Sequence, residues 1–116
     1  MNQLEEYLKE NYKNIDSNKL IDLFFKQENF YTLILPQPLP RNCEYLVQEI
    51  ENDLVGLIFT SKEKIEEYKK LEPLVKNWQI KEYKTNTFEK YFEELPKIKG
   101  ICINYGFYWC KLLLKE

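Results

Sequence analysis

Gly100-Ile101-Cys102-Ile103-Asn104-Tyr105-Gly106 reads as a buried strand running straight into a tight turn. Four apolar residues in succession leave no polar face, as in a strand covered on both sides. Asn104 and Gly106 then supply the residue types that tolerate a left-handed backbone. A second stretch upstream has a related shape. Val55-Gly56-Leu57-Ile58-Phe59 is apolar throughout, and Thr60-Ser61-Lys62-Glu63 turns it directly into a charged helix. Thr60 and Glu63 have the spacing of a capping box.

Between these two strands the pattern alternates. Ile65, Tyr68 and Leu71 mark the inward face of a helix, and Glu66, Glu67, Lys69 and Lys70 its solvated face. Pro73 ends it. Residues 78–83 alternate as a strand. Asn86 or Thr87 caps a further helix whose stripe, Phe88, Tyr91, Phe92 and Leu95, has the period of a helix facing a core. Pro96 closes that helix. After the turn at Tyr105-Gly106, residues 109–114 return as the second arm of a hairpin.

Upstream, residues 45–51 and 54–60 flank Asn52-Asp53, which predicts a hairpin turning on those two residues. In its first arm Tyr45, Val47 and Glu49 face one way, and Leu46, Gln48 and Ile50 the other. Residues 30–35 are aromatic and branched and read as a strand. Pro36, Pro38 and Pro40 break regular pairing, and their spacing is not that of a Pro-x-x-Pro ligand. The chain opens with two helical stretches. Leu4, Tyr7, Leu8 and Tyr12 share one face of the first. Asp16 or Ser17 caps the second, whose Leu20, Ile21, Leu23, Phe24 and Phe25 predict a wide buried face.

Six strands and four helices in this order predict an α/β (α+β) fold. The expectation is a single domain spanning 1–116, with a mixed five- or six-stranded sheet and flanking helices. At 116 residues the chain suits one core.

Composition narrows the chemistry. There are 17 basic and 19 acidic residues, for a net charge of -2. No broad basic field for nucleic acid is expected. No apolar run approaches the length of a membrane span. The opening residues lack the basic and apolar regions of a secretory signal. The expectation is therefore a cytoplasmic protein. There is no histidine, which removes the commonest general base and metal ligand. Cys43, Cys102 and Cys110 are odd in number and not at metal spacing, so free thiols and no metal or other cofactor are expected. The paired acids at Glu5-Glu6, Glu66-Glu67 and Glu93-Glu94 diverge around their helices and make no catalytic dyad. Phosphate loops, dinucleotide fingerprints and nucleophile elbows are absent from the sequence.

What stands out is aromatic. Tyr105, Phe107, Tyr108 and Trp109 crowd one turn. They cannot all reach one core. Cross-strand packing accounts for some, and the exposed remainder is the candidate protein-binding surface.

The Leu57-Ile58-Phe59-Thr60-Ser61 turn into a charged helix, with the later Gly100 to Gly106 strand and turn, resembles the N-terminal domain of the SseB (enhanced serine sensitivity) proteins. The family pattern is an apolar strand ending in Phe-Thr-Ser, then a Gly-apolar-x-Ile-Asn-Pro-Gly strand and turn. The helix and strand over 20–35 fit the same order, and the resemblance covers about 20–114. Tyr105 stands where the family usually has proline. The resemblance implies a small cytoplasmic bacterial domain and a noncatalytic protein-interaction module, with no catalytic residues to carry over. An immunity-type or secretion-associated protein that neutralises a toxin is the alternative expectation, and a small enzyme a third. The partner protein is not specified by the sequence.

Overall fold

The structure, a computed structural model, describes residues 2–37 and 44–115. Cys43, Pro38 and Pro40 lie outside the described residues.

Two helices open the chain. In α1 (Gln3–Asn11), Asn2 accepts from the Glu5 amide while the Glu5 carboxylate accepts from the Asn2 amide, a complete capping box. Asp16 caps α2 (Ser17–Lys26) by accepting from the amides of Asn18 and Lys19. Seven strands follow among the described residues: β1 (Asn29–Leu35), β2 (Glu44–Tyr45), β3 (Val47–Ile50), β4 (Asp53–Ile58), β5 (Gln79–Lys84), β6 (Gly100–Ile103) and β7 (Cys110–Leu113). Helices α3 (Lys62–Leu71) and α4 (Phe88–Glu93) lie between β4 and β6. The α+β class is as the sequence predicts.

The strands form two sheets rather than one, ordered β2-β1-β5 and β3-β4-β6-β7. The expected strand over 45–51 is split at Leu46. Its amide donates to Leu33 O in one sheet, and its carbonyl accepts from the Leu57 amide in the other. A single residue thus hands the chain from sheet to sheet. The seam is closed again where Tyr31 and Phe59 exchange two backbone hydrogen bonds, of 3.0 and 2.8 Å. Thr32 Oγ1 adds a third tie to Leu57 O at 2.8 Å. The pair β4 and β6 is parallel, joined by the long crossover that contains α3, β5 and α4.

Strand periodicity delivers two apolar clusters, one on each face. Phe30, Ile58, Ile101 and Ile103 point toward α1, α2 and α4, joining Leu4, Leu8, Leu20, Phe24, Phe88 and Tyr91. Leu33, Val55, Leu57, Phe59 and Cys102 point the other way, toward Ile65 and Tyr68 of α3. Residues 55–60 are all buried, as a strand covered on both faces requires.

Several local expectations are corrected. Ser61, not Thr60, caps α3, accepting from the Lys64 amide at 3.2 Å. Thr60 is already bonded elsewhere. The β3–β4 turn is Glu51-Asn52, one residue earlier than expected, with φ of 52° and 73°. Ile50 pairs with Asp53, so a two-residue turn with both residues left-handed closes the hairpin. Leu71 and Phe25 are exposed, because their helices present a narrower face to the sheet than the apolar count suggests. α4 stops at Glu93, before Leu95, and Thr87 makes no side-chain cap; its hydroxyl bonds Lys84 O instead. Phe88 and Tyr91 are buried, whereas Phe92 is half-buried, stacked on Phe88 with the Lys115 ammonium 4.7 Å above its ring.

Cys102 and Cys110 are both free thiols. Cys102 pairs in register with Lys111, and Cys110 with Ile103. The two thiols therefore point to opposite faces of the sheet and cannot bridge without moving a strand. Burial pushes the Cys102 thiol well up and the Cys110 thiol up as well. In a Cys43→Ser variant, thiol titration after denaturation without reductant should find both. In the folded protein Cys102 should not react. Loss of both thiols in the denatured sample would refute the free state.

Candidate functional site

The site is assembled at the end of β6. Asn104 takes φ 59°, the left-handed region its side chain tolerates, and Phe107 N–H closes the turn on Asn104 O at 3.0 Å. The Asn104 side chain is buried and does not serve its own backbone. Its Oδ1 accepts from the Thr60 amide at 3.0 Å, and its Nδ2 donates to Thr60 Oγ1 at 2.9 Å. Thr60 Oγ1 donates in turn to Glu5 Oε1 at 2.7 Å. Asn2 Nδ2 reaches Thr60 O at 3.3 Å. The ends of β4 and β6 and the start of α1 are thus held by one satisfied polar network, in which a buried carboxylate keeps its partners. The network sets the base from which residues 105–109 project. Gly106, with φ 97°, lets that loop turn back.

The four predicted aromatics divide. Tyr105, Phe107 and Trp109 are half-buried against the α3-side cluster, with Tyr105 edge-on to Trp109 at 5.4 Å between ring centroids. Tyr108 is 45 % exposed and lies 5.2 Å from the ring of Tyr12. Phe107, Tyr108 and Trp109 line an open cleft of about 550 Å³, and Tyr105 does not. A smaller recess adjoins it across Phe107 and Tyr108, lined also by Glu5, Lys9, Lys64 and Asn104. Lys64 holds its ammonium 4.8 Å from the Phe107 ring centroid, a cation–π contact.

Sequence reasoning missed the cleft's other walls. Tyr12, Lys13 and Ile15 come from the α1–α2 connection, and Glu51 from the β3–β4 turn. Tyr12 had the period of the first helix, but α1 ends at Asn11 and Tyr12 turns out to meet Tyr108. Lys111 also lines the cleft, and here a signal existed: it is a lone charge in the apolar run Cys110-Lys111-Leu112-Leu113-Leu114. Its ammonium donates to Asp53 Oδ2 at 3.0 Å and Ile50 O at 3.1 Å, and pairs with Glu51 at 3.7 Å. The Asp53 hydrogen bond raises the Lys111 pKa against the opposing pull of desolvation. Lys111 therefore clamps the left-handed turn at Glu51-Asn52 and shapes one wall of the cleft.

Among the described residues, no three His, Cys, Asp or Glu side chains come together as a metal site. No described helix is long and apolar enough to cross a membrane. Compared with known proteins, the chain matches no family, no curated protein and no solved structure.

Proposed function

We propose that this chain is a noncatalytic protein-interaction module of the SseB-like type, working in the cytoplasm, and that Phe107, Tyr108 and Trp109 contact the partner. The observation that carries the reading is the cleft itself. Three aromatics from one loop wall an open depression and stand on a rigid buried network. Aromatic side chains that are fixed in place and half-exposed offer large contact area at little entropic cost. Cys110 lines the cleft, but burial pushes its thiol pKa up, away from the reactive thiolate. Cys102 is buried, with its thiol driven upward in pKa, away from the thiolate that chemistry would need. The strand-to-helix turn at Thr60-Ser61 and the strand-to-turn unit at Asn104 keep the order on which the SseB resemblance rests.

The test is affinity for a partner recovered from the native cell. Tyr108→Ala should weaken that affinity by about 2 kcal/mol, the scale of an interface aromatic. Its melting temperature should barely change, because Tyr108 is exposed. Phe107→Ala and Trp109→Ala should weaken binding too, with some cost in stability. Unchanged affinity in all three, each still folded, would sink the proposal.

A further inference from the structure

The cleft lies at an open strand edge. β7 ends the order β3-β4-β6-β7 and pairs with β6 alone. Its other edge therefore has no neighbouring strand among the described residues, and alternate backbone groups along it face outward. Cys110 packs toward the cluster under α1 and α2, while Lys111 reaches the opposite way to the β3–β4 turn. Both line the cleft. A depression walled by the loop 107–109 and by residues from the two faces of β7 sits at the start of that strand, where its open edge begins. Its rims fit this placement. Tyr12, Lys13 and Ile15 stand on the α1–α2 side, and Glu51 stands on the other.

Charge is uneven around it. Lys111 is neutralised locally by Asp53 and Glu51. Glu5, in the adjoining recess, is buried and bonded to Thr60. Lys9, Lys13 and Lys64 make no ion pair among the described residues, and two of them lie over aromatic rings, Lys13 over Tyr12 and Lys64 over Phe107. In a chain of net charge -2, this rim is a local concentration of free cations.

We infer that the β7 edge takes an extended, acidic segment of a partner protein, added as an extra strand. This rests on the protein-binding reading above and names the partner's chemistry. Backbone pairing with β7 would hold the segment. Alternate side chains would fall between Tyr12, Tyr108 and Trp109, and carboxylates would meet Lys9, Lys13 and Lys64. A second copy of this chain fits less well, since it would bring its own lysine rim to the edge. A nucleic acid offers no strand of amides and carbonyls for β7 to pair with.

The experiment is selection of a phage-displayed library of random extended peptides on the folded protein. Enriched peptides should be acidic. N-methylating alternate backbone amides along one edge of a selected peptide should abolish binding, and along the other edge should not. The triple variant Lys9→Glu/Lys13→Glu/Lys64→Glu, with melting temperature unchanged, should bind about tenfold more weakly or worse, with the salt dependence lost. Neutral or basic winners that still need Tyr108 would overturn the acidic assignment and leave the aromatic surface standing. Winners indifferent to Tyr108 would overturn both. No winner, a dimer formed through β7, or preferential binding of an oligothymidylate probe would each overturn the inference.

Discussion

Phe30→Ala should cost about 3–5 kcal/mol, the range for truncating a fully buried phenylalanine. The expectation rests on position. Phe30 is completely buried on β1, its ring stacked on Tyr83 at 5.2 Å and edge-on to Phe88 and Tyr91 at 5.7 and 5.5 Å. Those neighbours come from β5 and α4, so they cannot close on the void together. Thermal unfolding should fall by roughly 10–20 °C for a chain of this size. Phe92→Ala is the control. Phe92 is half-buried, under the Lys115 ammonium, and its loss should cost about 1 kcal/mol, as for other partly exposed positions. Equal costs at the two sites, measured by urea unfolding, would show that the cluster under α1, α2 and α4 is not organised around Phe30.

The contrast between Phe30 and Phe92 marks what the sequence could and could not convey. Strand periodicity and the unbroken apolar runs at 55–59 and 100–103 were legible, because burial on both faces leaves a run with no polar residue. The helix start at Asp16 was legible from its side-chain chemistry, whereas the Asn2 cap of the first helix was not read. The stripe at Phe88, Tyr91, Phe92 and Leu95 was legible as a face, yet its width was not. How much of a stripe is covered depends on where the helix stops and on what crosses it, here Lys115 from the far end of the chain. The division into two sheets was hidden for a similar reason. It depends on Leu46 pairing in both directions, with Leu33 and with Leu57, and neither partner is adjacent in sequence. Thr60 shows the competition plainly. Its spacing to Glu63 is that of a local cap, but Asn104 and Glu5 claim the hydroxyl across the fold, and Ser61 caps the helix instead. At the cleft, the aromatic wall was visible as composition. The α1–α2 rim was not, since Tyr12 continued a helical period that the chain abandons one residue earlier.

Gly100→Ala should be the most damaging of the small substitutions, at about 3 kcal/mol, the upper end of overpacking. An added Cβ at Gly100 would lie 2.1 Å from Leu112 O and 2.8 Å from the Leu113 Cα. Both are backbone atoms of β7, so no side chain can rotate away, and the strand itself must move. Gly106→Ala fails differently. Nothing there comes nearer than 3.7 Å, and the cost is the left-handed φ of 97°, about 1–2 kcal/mol. The two mechanisms separate on a third substitution. Asn tolerates a left-handed backbone, so Gly106→Asn should recover part of the loss, whereas Gly100→Asn should recover none. Gly100→Ala should also lower partner affinity beyond what its stability predicts, because Trp109, Cys110 and Lys111 ride on the displaced strand and line the cleft. Measured well below the unfolding midpoint, unchanged affinity in folded Gly100→Ala would show that the β7 edge is not where the partner binds.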